Sequence, residues 1–276
     1  LLACAESGPH VRGAVYVGGM SGPFDPPIGS SLAGRRVLVT GGGSGIGLAC
    51  VRAFAARGAH VIVADVNADA AGSAAAEAGG EPWVVDLSDT AAQEDLDLDV
   101  DVLVNNAGIQ RVQPIHEFDP DTFRFMHRLM VESPFLLIRA VLPRMYERGW
   151  GRIVNVSSAH GLRASPLKSA YVSAQHALEG LSKVAALEGG THGVTSNCID
   201  PAYVRTPLVE KQIADQARIH GIPESEVVEK IMLTETAIKR LVEADEVAAL
   251  AVWLASDSAG MVTGASLTMD GGWTAR

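Results

Sequence analysis

The sequence predicts an α/β fold in which a doubly wound parallel sheet of about seven strands carries helices on both faces. Short β-branched runs alternate with helical patterns along most of the chain, as they do in successive βαβ units. The runs are almost wholly apolar, which is typical of strands that are buried on both faces of a sheet. One run leads directly into a glycine cluster that opens a helix. The seven runs lie at residues 36–40, 60–64, 83–85, 102–104, 153–156, 194–199 and 264–269.

Composition favours a protein that acts on small molecules. The 276 residues are 47% hydrophobic, which is enough to bury a substantial core within one domain. The formal net charge of −10 argues against a nucleic-acid partner or an anionic membrane surface. No apolar run reaches the length of a membrane span. The three cysteines are scattered without metal-ligand spacing, which favours a reducing, cytoplasmic location and predicts no metal site.

Residues 1–31 lack a hydrophobic pattern and are rich in Gly, Pro and Ser, which predicts a flexible arm before a domain at 32–276. Leu1 is not a usual start, and Met20 opens a stretch that would make a natural N-terminus. Residues 1–19 are therefore interpreted as an upstream translation or cloning feature. A cleaved signal is the competing interpretation, but the apolar start is too short for the hydrophobic region of a signal.

The first strand runs straight into a glycine turn, and the pattern becomes helical from Ile46 onward. Gly41 permits a tight turn, Gly45 lets the backbone approach a diphosphate, and Gly47 lets the helix pack closely on the strand. The helix N-terminus, which includes Ser44, supplies amide donors and the positive end of a dipole. Glycines also form ordinary loops, but their position between strand and helix predicts a Rossmann-type nucleotide site.

Asp65 ends the second strand about twenty residues beyond the glycines, where a carboxylate can accept hydrogen bonds from a ribose diol. The same carboxylate would repel a 2′-phosphate, and no arginine follows it directly. The sequence therefore predicts NAD rather than NADP as the cofactor. A surface acid at the end of a strand is the alternative interpretation.

The segment between the third and fourth strands is short, so the usual crossover helix must be trimmed there. Its acids are interpreted as a solvated acidic loop. Alternate carboxylates are also found in calcium loops, but the glycine and the terminal glutamate of that motif are missing. These acids are Asp95, Asp97, Asp99 and Asp101.

Two hydroxyl groups mark the centre of the chain. Ser158 stands where the strand at 153–156 ends, and Tyr171 lies at the start of a helical pattern. Because the carboxyl ends of parallel strands face the crevice in which open α/β sheets bind ligands, the two side chains can converge there. Two hydroxyls that meet in a cleft indicate a device for holding and protonating an oxygen.

Together with the glycine turn and Asn105-Asn106-Ala107-Gly108, these residues resemble the short-chain dehydrogenase/reductase family over about residues 32–273. In that family a serine thirteen places before a tyrosine polarises the substrate oxygen, which implies these roles for Ser158 and Tyr171. The family's lysine four places after the tyrosine is Gln175 here. Its asparagine, which orders a water in the proton path, is Met130. A methionine in a helix is also an ordinary core residue.

The resemblance implies further cofactor contacts. It places one pair of residues beside the adenine, one asparagine against the cofactor, and two residues after the sixth strand on the nicotinamide carboxamide and phosphates. Tyr171 and Gln175 belong to the same set. The others are Asp86, Leu87, Asn106, Val204 and Thr206. Ala202 departs from the family's usual glycine.

Four polar residues match the positions that hold the substrate carboxylate in the D-3-hydroxybutyrate dehydrogenases of this family. They are Gln110, His160, Lys168 and Gln212. A carboxylate taken out of water needs charge-assisted donors, and this group can supply them. Singly, each is more often a solvated surface residue. The expected substrate is a small carboxylate, with 3-hydroxybutyrate and acetoacetate favoured.

The resemblance also implies a mobile lid near residues 206–233, which holds Gln212, and a homotetramer with the C-terminus at an interface. Two other functions stay open. One is a weak or inactive cofactor- or ligand-binding pseudoenzyme, which the departures at Met130, Gln175 and Ala202 favour. The other is a reductase of a different carbonyl compound, in which the polar residues hold another acid.

Overall fold

The computed structural model describes residues 31–275, and these form one seven-stranded parallel sheet in the order β3-β2-β1-β4-β5-β6-β7. The predicted fold class is confirmed. The chain order reverses between β1 and β4, which creates the crevice where such sheets bind ligands. The strands are β1 Arg36–Thr40, β2 His60–Asp65, β3 Glu81–Val84, β4 Val102–Asn105, β5 Gly151–Val156, β6 Val194–Pro201 and β7 Ser266–Met269.

Helices cover both faces of the sheet. In β1, Val37 and Val39 belong to the same core cluster as Phe54 of α1 and Val247 of α8, whereas Leu38 belongs to the opposite one, with α4. This alternation follows from the two-residue period of a strand. The helices are α1 Gly45–Ala55, α2 Ala68–Ala78, α3 Pro120–His127, α4 Ser133–Arg148, α5 Ser169–Gly189, α6 Pro207–His220, α7 Glu224–Val227 and α8 Ala244–Leu254.

The short crossover between β3 and β4 contains only a single 3₁₀ turn, Ala91–Gln93, as the trimmed length predicted. The solvated acidic loop is wrong for Asp101, which is 7% exposed. Its carboxylate accepts hydrogen bonds from the Arg36 backbone N–H at 2.8 Å and from Arg35 Nη1 at 3.2 Å. Asp101 is buried because it immediately precedes β4 and ties the start of β1 to it.

The region from residue 119 to 148 is not one continuous α-helix. α3 ends at His127, Arg128–Glu132 form a π-helical turn, and α4 begins at Ser133. Pro134 lies in the first turn of α4, where its missing N–H costs least. The helix is therefore interrupted just before this proline by a π turn. Such turns are frequent at functional sites.

Most of the expected N-terminal arm falls outside the described residues, which begin at Ser31. None of the helices formed by residues 31–275 combines the length and the apolar character required to cross a bilayer.

Candidate active site

A cavity of about 670 Å³ lies at the carboxyl ends of the central strands. This volume is within the range of small-molecule and cofactor sites. The cavity brings together every residue that the sequence analysis assigned to cofactor, substrate or chemistry, with the exception of Gly47. The residues that line it come from many parts of the chain, between Thr40 at the end of β1 and Trp273 after β7.

The glycine turn is a cradle that side chains would fill. Gly41 and Gly45 have φ values of +62° and +53°, which most other residues adopt only at a cost. A Cβ on Gly47 would lie 2.1 Å from the Gly41 carbonyl oxygen. Gly47 therefore does not line the cavity but lets α1 begin directly against the turn. Ser44 and Ile46 line the cavity beside it.

The carboxylate of Asp65 is held at the end of β2 by two backbone donors. Its Oδ2 accepts from the Gly43 N–H at 2.9 Å, and its Oδ1 accepts from the Asn67 N–H at 3.0 Å. Each oxygen retains a lone pair for a further donor. The group is thus fixed in position and able to accept hydrogen bonds from a diol that enters the cavity.

Asp86 and Leu87 follow β3 along the same wall. Hydrogen bonds from the Ser88 hydroxyl and backbone N–H hold the pKa of Asp86 below its usual range. Leu87 is buried, and its carbonyl accepts from Gln93 Nε2 at 3.0 Å. The two residues therefore place a carboxylate and an apolar surface side by side.

Hydrogen bonds of Thr40 and two asparagines hold the backbone around the β1–β4 crevice in place. Thr40 Oγ1 accepts from the Asn106 N–H at 2.9 Å, and Asn106 Nδ2 donates to the Thr40 carbonyl at 2.9 Å. Asn105 Nδ2 donates to Asn155 Oδ1 at 2.9 Å, which ties β4 to β5. The backbone at Asn106 is therefore rigidly presented to the cavity.

Ser158 and Tyr171 converge, as the sequence predicted from their places on β5 and α5. Burial raises the pKa of Tyr171 above its ordinary value, and hydrogen bonds with Gln175 and Ser158 offset part of that rise. Ser158 Oγ also accepts from the His160 N–H at 3.1 Å. The phenol is thus mainly neutral at pH 7, and hydrogen-bonding groups surround it.

Gln175 is 5% exposed, and its Oε1 has no hydrogen-bond partner among the described residues. It lies one helical turn after Tyr171, on the same face of α5. A buried unpaired amide oxygen costs free energy, so its position indicates a partner that enters the cavity.

Met130 lies within the π turn and is 3% exposed. It forms a buried cluster with Met126, Ala170 and Ala174, against which the Tyr171 side chain packs. The side chain therefore acts as core packing beside the tyrosine, and its thioether is at most a weak hydrogen-bond acceptor.

The four residues proposed to bind a carboxylate all line the cavity. Lys168 is 4% exposed, and burial lowers its pKa to about 8. Burial, together with the positive charge of Lys168, lowers the pKa of His160 to about 3, so the imidazole is neutral. The Oε1 atoms of Gln110 and Gln212 are buried without a partner among the described residues. The four residues thus offer one cation and three neutral hydrogen-bonding groups.

The backbone before Lys168 is unusual. Leu167 has a φ of +69°, a left-handed conformation that is rare for a residue other than glycine. Its carbonyl accepts from the Gln113 N–H at 2.8 Å, and Gln113 also forms a parallel bridge with Lys168. Backbone strain of this kind persists where surrounding structure enforces it, often at functional sites. Here it directs the lysine into the cavity.

The sequence analysis missed two residues of this wall. The Tyr203 hydroxyl accepts from Lys168 Nζ at 3.3 Å, and the Trp273 ring centroid lies 5.3 Å from that of His160. Tyr203 could have been found by the rule that identified Ser158, because it follows the carboxyl end of β6. Trp273 was instead assigned to a subunit interface.

The segment predicted as a lid covers one side of the cavity. Thr206 caps α6, since its Oγ1 accepts from the Val209 N–H at 3.4 Å. Val209 packs with Val227 and Met232 of the following turns, and Gln212 faces the cavity from the same helix. Val204 precedes this segment and forms a bridge with Val242.

These features fit a nicotinamide dinucleotide. The glycine cradle leaves room for a diphosphate, and Asp65 can hold a ribose diol. Gln175 lines the cavity with an amide oxygen that has no partner among the described residues. The cavity volume also suffices for a cofactor with a small substrate.

The sequence model of the family described as Enoyl-(Acyl carrier protein) reductase matches residues 41–274 of the chain. Two curated relatives carry the name D-beta-hydroxybutyrate dehydrogenase. The protein from Rhizobium meliloti is 42% identical over 258 residues, which are 88% of this chain and 99% of that protein. The protein from Cupriavidus necator is 44% identical over 257 residues, which are 89% of this chain and 100% of that protein.

The fold of the chain is also similar to that of a solved structure. It is a protein from Agrobacterium tumefaciens, provisionally named 2-deoxy-D-gluconate 3-dehydrogenase, with bound NADP. The TM-score is 0.79 at 31% identity, and the match covers 91% of this chain and 100% of that chain. The family match at 41–274 includes all the cavity-lining residues except Thr40.

Proposed function

The chain belongs to the short-chain dehydrogenase/reductase family of oxidoreductases, and we propose that it interconverts a short 3-hydroxy acid and its 3-keto acid with NAD. The favoured pair is 3-hydroxybutyrate and acetoacetate. The names of the two curated relatives support this choice, and so does the chemistry of the cavity.

The observation that carries the proposal is the buried ammonium of Lys168 in the cavity that also contains Ser158 and Tyr171. Within residues 31–275, Lys168 forms no ion pair with a carboxylate, and its hydrogen bond goes to Tyr203. A substrate carboxylate would supply the missing counter-charge. Rotation of the Gln110 and Gln212 amides would direct their N–H groups to the same anion.

The two hydroxyls account for the proton transfer. In oxidation, Tyr171 takes the proton of the substrate hydroxyl as general base, while Ser158 hydrogen-bonds the same oxygen. In reduction, Tyr171 returns a proton to the carbonyl oxygen. The bound nicotinamide supplies the hydride acceptor or donor. The carboxylate contacts hold the substrate so that its reacting carbon stays beside these groups.

Gln175 and Met130 slow the oxidation in this proposal. A free tyrosine has a pKa of about 10, and burial raises that of Tyr171 further. Gln175 can hydrogen-bond the phenol and the cofactor ribose, but it carries no charge to stabilise the phenolate. Met130 cannot steady a relay water as an asparagine does. Oxidation near pH 7 is therefore slow, and its rate climbs as Tyr171 ionises in the alkaline range.

Asp65 supports the preference for NAD. Its carboxylate is held by the Gly43 and Asn67 N–H groups at the position where a 2′-phosphate would approach. The carboxylate and a 2′-phosphate are both negatively charged, so they would repel each other at that position. The NADP in the Agrobacterium tumefaciens structure is bound by a protein that is 31% identical to this chain.

We further propose that residues 206–233 act as a lid. Val209, Gln212 and Met232 line the cavity from this segment, so its movement would open the cavity to solvent. Closure would bring Gln212 to the substrate and exclude water from the reacting atoms.

A homotetramer is also proposed. Exposed apolar side chains on the neighbouring helices α4 and α5 support it, because exposed apolar surface marks association sites. They are Phe135 at 49%, Val184 at 51% and Leu187 at 83% exposure. Sedimentation of the purified chain measures its mass in solution, and a monomer would contradict the proposal.

A cytoplasmic location is proposed from the cysteines. Cys50 and Cys198 are buried free thiols, and burial raises the pKa of Cys50 to about 12. Neither is therefore poised to form a disulfide, as is usual in a reducing compartment.

The activity is tested with NAD and a panel of short 2-, 3- and 4-hydroxy acids, following the appearance of reduced nicotinamide. The proposal expects the highest kcat/KM for a 3-hydroxy acid, and no turnover by Tyr171→Phe, which lacks only the hydroxyl. A preference for a 2- or 4-hydroxy acid would refute the substrate assignment. Cofactor binding without turnover of any acid at alkaline pH would favour a ligand-binding pseudoenzyme.

A further inference from the structure

A second polar cluster lies behind the active-site loop, outside the cavity. It consists of Glu179 on α5 and Cys198 and Asp200 on β6, which are 4%, 0% and 0% exposed. Their ligand-type atoms all lie within 4.8 Å of one another. Glu179 is one helical turn beyond Gln175, so it follows the same face of α5 as the catalytic tyrosine. The cluster therefore adjoins the reaction centre without lining it.

The charges of this cluster do not balance. From α5, Lys183 Nζ lies 3.4 Å from Glu179 Oε2 and is half-exposed. From β6, the Cys198 thiol is neutral, because burial and the nearby Glu179 raise its pKa far above the usual range. From β7, the Ser266 hydroxyl donates to Glu179 Oε2. Two buried carboxyl groups thus face a single cation, and a buried net charge is costly.

Several polar atoms of the cluster lack a partner. Among residues 31–275, neither oxygen of Asp200, nor Glu179 Oε1, nor Ser157 Oγ makes a hydrogen bond that meets normal geometry. Ser157 is 3% exposed and packs against Glu179 beside Gly161. One proton added between the carboxyl groups would convert repulsion into a hydrogen bond and leave a single negative charge for Lys183 to balance.

We propose that Glu179 and Asp200 share one proton and that this acid–carboxylate pair positions the Ser158 loop and the end of β6 for the reaction. The pKa values of the two carboxyl groups shift in the directions that a shared proton requires. Burial, and then Glu179, raise the pKa of Asp200 to about 9. Burial also acts to raise the pKa of Glu179, but a hydrogen bond from the protonated form of Asp200 and one from Ser266 leave it below the ordinary value. Glu179 and Asp200 are positioning residues, since neither touches the reacting atoms.

Two short structural connections join the pair to Ser158. Ser157 precedes Ser158, and the 3₁₀ turn Ala159–Gly161 rests on the cluster: a Cβ on Gly161 would lie 2.6 Å from Ser157 Oγ and 3.0 Å from Glu179 Cγ. On the other strand, Asp200 precedes Pro201, whose carbonyl accepts from Ser158 Oγ at 3.5 Å. Loss of the shared proton would leave two negative charges beside the Ala159–Gly161 turn and the end of β6. Their repulsion would displace Ser158.

The pair sets an alkaline limit on activity. The rise in rate that Tyr171 ionisation gives is therefore cut short above the pKa of the pair, where the Ser158 loop is displaced and kcat falls. This inference rests on the oxidoreductase activity of the site but not on the substrate or on the preference for NAD.

The test uses the isosteric variants Asp200→Asn and Glu179→Gln, with Glu188→Gln as a matched control because Glu188 is exposed on the same helix. Infrared spectra of the parent at pH 7 should contain the carbonyl band of a buried protonated carboxyl group, and Asp200→Asn should lack it. The control should retain the band. Absence of the band from the parent, or its persistence in Asp200→Asn, would overturn the shared proton.

Stability against pH gives a second measurement that needs no substrate. The pKa of Asp200 is higher in the folded chain than in the unfolded one, so folding takes up a proton between the two values. The stability that this group contributes is therefore lost as the pH rises from about 4 to about 9. Asp200→Asn should lose less Tm over this range, whereas the control should follow the parent. Identical profiles for all three would contradict the proposal.

The positioning role is tested by the pH profile of kcat with the hydroxy acid that the panel identifies. The parent should lose activity above about pH 9, and Asp200→Asn should keep its activity at least one pH unit higher. If kcat falls at the same alkaline pH in the parent and in Asp200→Asn, the positioning role of the pair is refuted. Unchanged NAD affinity by calorimetry would show that the proposed function stands apart from that role. If Mn²⁺ or Zn²⁺ raises the Tm of the parent but not of Asp200→Asn, the cluster is a metal site and the proton-sharing proposal is wrong.

Discussion

Replacing Lys168 by Met should weaken carboxylate binding strongly while leaving NAD binding almost unchanged. The ammonium is already buried in the folded chain, at 4% exposure, so its desolvation is complete before any ligand arrives. Two unit charges 4 Å apart attract each other by about 4 kcal/mol at an effective dielectric constant of about 20. Desolvation of the ligand carboxylate consumes part of this attraction. A net loss of about 2–3 kcal/mol remains, which is roughly a 30- to 150-fold weaker Kd.

Calorimetry with malonate and the NAD complex measures this loss directly. Lys230→Met is the matched control, since Lys230 is half-exposed and ion-paired with Glu226. The pKa of Lys168 is lowered to about 8, so malonate should bind the parent more weakly as the pH rises through that value. Lys168→Met should lack this dependence. A change in malonate Kd below about threefold, or an equal loss of NAD affinity, would refute the assignment of Lys168.

Three further changes test other parts of the site. Asp65→Asn should shift the ratio of NAD to NADP affinity toward NADP by about tenfold or more, as measured by calorimetry, because hydrogen bonds to a charged group contribute about 1.5–3 kcal/mol each. Gln175→Lys and Met130→Asn should each move the pH–rate profile of oxidation toward neutral pH; a parent that already works fast near pH 7 would contradict this. Gly47→Ala should lower Tm and cofactor affinity because its Cβ would meet a carbonyl oxygen at 2.1 Å, whereas Gly72→Ala, which meets nothing within 4 Å, should leave both intact or raise Tm.

The sheet was predictable because its central strands are continuous apolar runs. β3 differed, since it begins at Glu81 and Pro82 rather than at residue 83. It is an edge strand, so three of its four residues are exposed and hydrophobicity does not mark its start. The glycine turn and Asp65 were found because each follows a recognisable strand at a regular distance.

The buried charges were not predictable from local pattern. Asp101 stands in a row of alternating acids, and nothing in that row distinguishes it from its exposed neighbours. Glu179 and Asp200 lie on different elements, so only the packing of α5 on β6 brings them together. Tyr203 and Lys168 meet for the same reason. Pairs of this kind depend on tertiary contacts between distant segments, which periodicity along one segment does not report.

The central claim is that a buried cation selects a 3-hydroxy acid for Tyr171 to oxidise. It is tested most directly by comparing kcat/KM for D-3-hydroxybutyrate and for its methyl ester, with NAD, in the parent and in Lys168→Met. The account predicts that the parent prefers the acid and that the variant loses this preference, while its turnover of the ester stays nearly the same. Equal kcat/KM for acid and ester in the parent would contradict the account.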